Sequence, residues 1–174
     1  VQAMFFQGCG ADQNPLPRRS VELAERYGAM LAEAVDQTLN AVMRPVEPRL
    51  QTEFEFITLD FGKTRSREEL AATAEGTDFQ ARGAKRLLAE LDAGGTFATQ
   101  SRYPVQVWRL GADQLWIALG GEVVVDYAAT FKRMFGPTTW VAGYTNEVIA
   151  YIPSERVLSE GSYEAGAFHV YGLP

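Results

Sequence analysis

The chain has 174 residues, 47% of them hydrophobic, which predicts one domain with a buried core rather than two domains. Its 22 acidic and 16 basic residues give a net charge of −6, which argues against binding to a nucleic-acid phosphate backbone. A single cysteine excludes an internal disulfide, and a single histidine excludes a metal site built from several imidazoles of this chain. The apolar runs are far shorter than the roughly 20 residues of a membrane-spanning helix.

The first forty residues predict a strand, a loop and a long helix. Residues 3–7 have the composition of a buried strand, and residues 8–19 are rich in glycine and proline. Such a loop is suited to an active site, although a lone turn of this composition is more often a plain turn. Ser20 is placed to cap a helix with one apolar face, which we expect to pack on a sheet. That face comprises Leu23, Tyr27, Met30, Leu31, Ala34, Val35, Thr38 and Val42.

The middle of the chain alternates between strand and helix signals. Residues 52–59 alternate polar and apolar side chains, which predicts a strand with one buried face. Ser66 and Glu69 form a capping box for a short helix that stops at Gly76. A second helix is predicted to turn Phe79, Leu87, Leu88 and Leu91 inward. Two apolar runs that flank residues 111–113 predict a hairpin.

Glu122 lies where a predicted strand meets a predicted helix. The run 114–119 is apolar enough for a buried strand, and apolar residues recur at helical spacing from Val124 to Phe135. A carboxylate at this junction is favoured by the helix dipole, which is a purely structural explanation. Loops at strand ends also carry chemistry in α/β folds, so Glu122 is a candidate functional residue.

The last third predicts a strand through residues 140–142 and a short helix that begins near Ser154. Because strands and helices are interleaved, the expected fold is α/β (α+β), a mixed sheet flanked by helices. The chain has no glycine-rich phosphate loop. His169 lies in an apolar run and is interpreted as a structural residue, and Cys9 lacks the basic partner of a nucleophile.

Four motifs in order resemble the neutral/alkaline (non-lysosomal) ceramidase family. They are the Gly-Ala-Asp-Gln-Asn-Pro loop at 10–15, the Gly-Glu junction at 121–122, the run from Ala142 through Tyr151-Ile152-Pro153, and the pair Ser162-Tyr163-Glu164-Ala165 and Tyr171-Gly172. The resemblance covers nearly the whole chain. It implies that residues 1–174 are a single domain that forms the C-terminal portion of a larger catalytic domain, and we expect the chain to be a piece of a longer protein.

The resemblance implies a zinc-dependent amidase that cleaves the bond between a fatty acid and a sphingoid base. In this family two histidines, a glutamate and a tyrosine hold the metal. The glutamate falls on Glu122, although Gly120-Gly121 precedes it here in place of Pro-Gly, and the tyrosine falls on Tyr151. Both histidines belong to the upstream half. Taken without the resemblance, Tyr151 is also explained as a packed aromatic whose hydroxyl caps a backbone group.

One departure concerns the residues expected to be catalytic, which are Asp12, Asn14 and Tyr151. Asp12 matches the aspartate of the family's Gly-Asp-x-Ser-Pro loop, and Asn14 stands where that loop has a serine. An amide cannot act as a hydroxyl nucleophile, but it can orient a substrate or water. The expectations are therefore a zinc-dependent amidohydrolase or, alternatively, an inactive relative that binds a lipid or a carbohydrate.

The resemblance also sets expectations for partners and location. A piece with at most two of four ligands should be inactive alone, and exposed sheet edges favour pairing with the upstream half or with a copy of itself. The substrate would be a lipid-like amide. Family members imply a secreted or periplasmic protein, with association at a membrane surface and no transmembrane segment.

Overall fold

A computed structural model describes residues 4–171 and 173–174, apart from the side chains of residues 169 and 170. The fold is α+β, as predicted. In chain order the elements are α1 (Val21–Asn40), β1 (Leu50–Asp60), α2 (Arg67–Ala74), α3 (Phe79–Asp92), β2 (Gln100–Leu110), β3 (Gln114–Leu119), β4 (Glu122–Val123), α4 (Val125–Phe135), β5 (Trp140–Ala142), β6 (Tyr151–Ile152), α5 (Glu155–Glu160), α6 (Tyr163–Gly166) and a 3-10 helix (Ala167–Tyr171).

The main sheet has four strands in the order β1-β2-β3-β5. The first three strands are antiparallel neighbours, and β5 adds parallel to β3 after the chain has passed through α4. A parallel neighbour needs such a crossover, because the chain must return to the same end of the sheet. A second, two-stranded parallel sheet joins β4 to β6. The mixed sheet predicted from the sequence is therefore confirmed.

The main core lies on the face of the sheet that α4 covers. Tyr127, Ala128 and Phe131 of α4 pack against it at helical spacing, as predicted. The buried members of this core are Cys9, Tyr103, Leu115, Ile117, Leu119, Val123 and Val141. A smaller cluster around Leu70, Ala84 and Leu87 holds α2 against α3. The core therefore surrounds β3 and β4, the strands that lead into Glu122.

The helix starts follow the sequence signals. Ser66 Oγ accepts from Glu69 N at 3.2 Å, and Ser66 N donates to Glu69 Oε2 at 2.6 Å, which completes the capping box of α2. Ser20 and Ser154 cap α1 and α5 in the same way, each accepting from the backbone N–H three residues on. Within the described residues, none of the helices combines the length and apolar character needed to cross a bilayer.

Three segments expected to be buried are instead exposed. The predicted strand at residues 3–7 is wrong: Ala3 lies outside the described residues, and residues 4–7 are exposed and form no strand within the described chain. Every residue of α1 is exposed or half-buried, so this helix does not pack on the sheet. The β1 strand was predicted correctly, but all its residues are exposed.

One residue of α3 was also predicted to be buried and is instead exposed. Leu87 is buried as predicted, whereas Phe79 is 44% exposed at the first turn. The physical reason is common to all four cases. Periodicity shows that a segment has an apolar face, but it does not show whether another element covers that face.

Candidate functional site

Glu122 and Tyr151 lie side by side on neighbouring parallel strands. The two residues are direct partners in the β4–β6 pair. Glu122 N donates to Ala150 O at 2.8 Å, and Val124 N donates to Ile152 O at 3.3 Å, which fixes the register. Side chains of direct partners project to the same face of a sheet. The structure thus brings together the two residues that the resemblance assigned as metal ligands.

Gly121 is required for this approach of β4 to β6. Its φ is +75°, and a Cβ atom there would lie 2.7 Å from Ala150 O. Gly120 before it is also crowded, since a Cβ atom there would lie 3.0 Å from Glu147 O. Tyr103, which is buried, donates its hydroxyl to Gly120 O at 2.8 Å. The two glycines therefore let β4 lie directly against the 147–152 segment and place Glu122 at its edge.

Two further tyrosines hydrogen-bond to the Glu122 carboxylate. Tyr144 donates its hydroxyl to Oε2 at 3.2 Å, and Tyr171 donates its hydroxyl to Oε1. Tyr144 has a φ of +53°, an uncommon conformation for a residue with a side chain. Tyr151 packs edge-on against Tyr171, with ring centroids 6.2 Å apart. Glu122 is therefore surrounded by three phenols from separate parts of the chain.

The environment keeps these phenols protonated near neutral pH. Burial, followed by the charge and hydrogen bonding of Glu122, raises the pKa of Tyr151 to about 12. Burial is also the main cause that raises the pKa of Tyr144 and of Tyr171, and the neighbouring Glu122 adds to it. The hydroxyls consequently act as hydrogen-bond donors. The charge of Glu122 thus acts on the Tyr151 phenol, and the interpretation of its hydroxyl as a cap on a backbone group stays a prediction.

A groove adjoins the site beyond Tyr163. The ring of Tyr163 packs edge-on against that of Tyr151, with centroids 5.6 Å apart. The groove has a volume of about 430 Å³ and lies between the start of α3 and α6. Ser162 Oγ, which is buried, has no hydrogen-bond partner among the described residues. The lining residues are Asp78, Phe79, Gln80, Gly161, Ser162, Tyr163, Gly166 and Ala167.

Asp12 occupies the position at α4 that helix-dipole reasoning had offered for Glu122. Its Oδ1 accepts from Val125 N, the first residue of α4, at 2.9 Å. Its Oδ2 lies 3.8 Å from the Arg156 guanidinium. Glu122 precedes the helix, and the acidic residue of the first turn is Asp126. The structural explanation of Glu122 is therefore wrong, and that structural role belongs to Asp12.

Asn14 is exposed and accepts a hydrogen bond from Arg18 through Oδ1. The catalytic roles expected for Asp12 and Asn14 stay predictions. Cys9 is buried, and desolvation raises the pKa of its thiol to about 11, as suits a structural residue. The side chain of His169 and the residue Gly172 lie outside the described part of the chain.

The donor set fits part of a zinc site. The Glu122 carboxylate and the Tyr151 phenol offer two oxygen atoms from neighbouring strands. Zinc in proteins takes carboxylate oxygen readily and most often completes four ligands. The described residues contain no group of three or more His, Cys, Asp or Glu side chains that could hold a metal ion. The remaining ligands would have to come from elsewhere.

The sequence analysis missed Tyr144 and Tyr171 as members of the site. Both stand within the motifs that carry the resemblance, which was the available signal. Their convergence depends on the fold, because they lie 22 and 49 residues from Glu122. Comparison of the chain with family models, with curated proteins and with solved structures finds no match.

Proposed function

We propose that the protein is a zinc-dependent amidohydrolase of ceramidase type, which hydrolyses an N-acyl amide such as N-acylsphingosine. Glu122 and Tyr151 would supply two metal ligands, and the other two would be imidazoles from outside these 174 residues. The single observation that carries the proposal is the direct pairing of these two residues across β4 and β6. They are the positions at which the ceramidase resemblance requires ligands.

The residues of this chain can be assigned complementary tasks. Tyr144 and Tyr171 donate to the two oxygens of Glu122 and hold its carboxylate in one orientation. If the metal holds it only loosely, Tyr151 stays a neutral phenol and can also donate a hydrogen bond toward an amide oxygen that gains negative charge during hydrolysis. Bound zinc would supply a Lewis acid for the amide carbonyl and for water.

The groove beyond Tyr163 is the proposed place for a non-reacting part of the substrate. It reaches the site through the contact between Tyr163 and Tyr151, and the exposed ring of Phe79 lines it. A lipid-like chain would gain contact with aromatic surface there. The proposed location, secreted or periplasmic and at a membrane surface, rests on the resemblance alone.

Zinc content and amide hydrolysis of the natural-length protein test the proposal. Glu122→Gln keeps the size of the side chain but removes the negative charge, so we expect loss of zinc and an activity at least about 100-fold lower. Glu147→Gln is the matched control, since Glu147 is exposed in the adjacent loop, and it should retain both. Metal would be quantified by mass spectrometry, and activity with a fluorescent N-acylsphingosine. Full zinc occupancy in Glu122→Gln would refute the ligand assignment.

The alternative, a protein that binds a lipid or a carbohydrate without turnover, is favoured by Asn14. Asn14 replaces the family's serine and its carbonyl oxygen is occupied by Arg18. The same assay separates the two functions if equilibrium binding of the labelled lipid is measured beside product formation. Tight binding by the zinc-loaded protein, with no product over hours, would establish the alternative.

A further inference from the structure

The groove beyond Tyr163 has hydrogen-bonding groups that the described residues leave without partners. Ser162 Oγ is buried there, and no described residue bonds to it. A buried hydroxyl without a partner costs free energy, so this hydroxyl is a place where a ligand group can bond. The first N–H groups of a helix have no carbonyl of the same helix to bond. At the start of α3 the side-chain cap serves Ala81 N, which leaves Phe79 N and Gln80 N for another acceptor.

Asp78 gives the groove an acceptor and a negative charge. Its Oδ1 accepts from Ala81 N at 2.8 Å, so the carboxylate lies at the positive end of α3. Asp78 is the one charged side chain among the described residues that line the groove. An anion would be repelled by this carboxylate, and a cation would be repelled by the N–H groups of α3. The ligand that remains is neutral and carries groups that both donate and accept, which is the character of hydroxyls.

Two exposed aromatic rings give the groove apolar surface as well. Tyr163 is 56% exposed and Phe79 is 44% exposed, and both line the groove. A sugar ring presents C–H groups on its faces and hydroxyls along its edges. It can therefore contact the rings while it bonds to Asp78, Gln80 and Ser162. An alkyl chain would contact the rings but leave the polar groups without partners.

The groove is open and large enough for a small ligand. Its volume of about 430 Å³ lies within the range of about 300–1,000 Å³ that small-molecule sites occupy. A Cβ atom at Gly161 or Gly166 would meet no atom within 4 Å. Gly161 caps α5 with a φ of +68°, whereas Gly166 has no positive φ. A larger side chain at Gly166 would therefore occupy the groove without straining the backbone.

We propose that the groove beyond Tyr163 binds a neutral sugar ring carried by the non-reacting part of the substrate. The ring centroids of Tyr163 and Tyr151 are 5.6 Å apart, so the sugar would be attached close to the amide. The inference rests on the proposed function, whose substrate class it narrows to a glycosylated N-acyl amide. It also narrows the occupant of the groove from a lipid-like chain to the head group that such a chain carries. Binding of the sugar itself requires neither zinc nor hydrolysis.

Isothermal titration calorimetry of the natural-length protein tests the sugar site. The probes are octyl glucoside, 1-octanol and octyltrimethylammonium, which share one alkyl chain and differ in the head group, each used below any micelle concentration. We expect octyl glucoside to bind at least about 10-fold more tightly than the other two, because its head group bonds both donors and acceptors. Equal or tighter binding of 1-octanol or of the ammonium probe would overturn the inference. Methyl glucoside should bind more weakly than octyl glucoside, and equal affinity would indicate a free sugar and overturn the link to the substrate.

Two variants locate the bound sugar. Gly166→Leu should remove the binding of octyl glucoside because its side chain fills the groove, and Ser162→Ala should weaken it by about 5- to 10-fold. Gly28→Leu is the matched control, since a Cβ atom in that part of α1 also meets nothing within 4 Å. Circular dichroism checks that each variant is folded, and Ser162→Ala decides the assignment if Gly166→Leu is not. Undiminished binding by the folded variants would place the sugar elsewhere and overturn the inference.

A hydrolysis assay separates this inference from the proposed function. With zinc bound, N-acylsphingosine that carries one glucose should have a kcat/KM at least about 10-fold above that of unsubstituted N-acylsphingosine. Gly166→Leu should remove this difference. Sugar binding without hydrolysis of either amide would support the groove assignment and refute the proposed function. Hydrolysis of both amides at equal rates, without sugar binding, would do the reverse.

Discussion

Helices α1 and α4 have similar amphipathic sequences but different surroundings. The apolar side of α4, through Tyr127 and Phe131, packs on the main core. The equivalent side of α1 faces outward, with Leu31 58% exposed. The difference comes from the segments that flank each helix. Helix α4 connects β3 to β5, two adjacent parallel strands, and must therefore lie across them. An amphipathic sequence thus predicts that a helix has an apolar side, while the connections between elements decide whether another part of the chain buries that side.

The largest expected difference in the free energy of unfolding is between Gly121→Ala, just before α4, and Gly28→Ala, within α1. Gly121→Ala forces a Cβ to within 2.7 Å of Ala150 O at a φ of +75°. We expect the free energy of unfolding to fall by about 3–5 kcal/mol. Gly28→Ala in α1 meets nothing within 4 Å and should be neutral or stabilising by at most about 1 kcal/mol. Urea denaturation followed by circular dichroism measures both, and equal losses in the two variants would contradict the comparison.

A smaller effect is expected from removing a tyrosine hydroxyl in each region. Tyr171→Phe leaves one oxygen of the half-buried Glu122 without its donor, and we expect a loss of about 1–3 kcal/mol. Tyr27→Phe in α1 removes an exposed hydrogen bond to Pro17 O and should change the free energy of unfolding by less than about 0.5 kcal/mol. Thermal and urea unfolding of both variants provide the measurement. A loss in Tyr27→Phe as large as that in Tyr171→Phe would show that α1 is packed after all.

The smallest effect concerns the pH dependence of stability at the start of α4. Hydrogen bonds from Arg156, and then from Ser154, hold the pKa of the Asp126 carboxyl below its usual value of about 3.9. A carboxyl whose pKa is lower in the folded state than in the unfolded state stabilises the folded protein fully above the unfolded-state pKa. This stabilisation is lost as the pH falls through the folded-state pKa. We therefore expect the free energy of unfolding to decrease below about pH 4, and to decrease less steeply in Arg156→Gln.

Urea denaturation between pH 3 and pH 7 checks this expectation. Arg82→Gln on the exposed side of α3 is the control, because it removes the same charge away from Asp126. The control should keep the steep acid dependence of the unmodified chain. An identical slope in Arg156→Gln would mean that the ion pair does not stabilise the folded state.

Much of the local structure could be predicted from residues near in sequence. The caps at Ser20, Ser66 and Ser154 depend on contacts within three residues, and all three form. The hairpin at Gly111, whose φ is +62°, was indicated by the turn residues 111–113. The position of Glu122 before α4 could also be predicted, because the continuous apolar run of a strand gives way there to apolar residues at helical spacing. These features were accessible because each is decided by a short stretch of chain.

The roles of Asp12 and Glu122 could not be separated in this way. From the sequence only Glu122 could be assigned to the start of α4, and the structure gives that role to Asp12, which lies 113 residues from Val125 in the chain. Glu122 is left free to meet Tyr144 and Tyr171, which no local pattern connects to it. The two assignments required a fold that brings distant segments together.

The sequence by itself determined the long helices, the strands β1, β2, β3 and β5, the serine caps and the mixed character of the sheet, because dihedral preferences and side-chain periodicity act within a few residues. It also predicted a strand over residues 3–7, of which the described residues 4–7 form none. Only the tertiary structure decided which apolar faces are covered and which phenols surround Glu122. Burial and side-chain convergence depend on contacts between residues far apart in the chain, and these contacts exist only once strands have paired and loops have closed. The exposed apolar side of α1 and the tyrosines around Glu122 are therefore both consequences of topology.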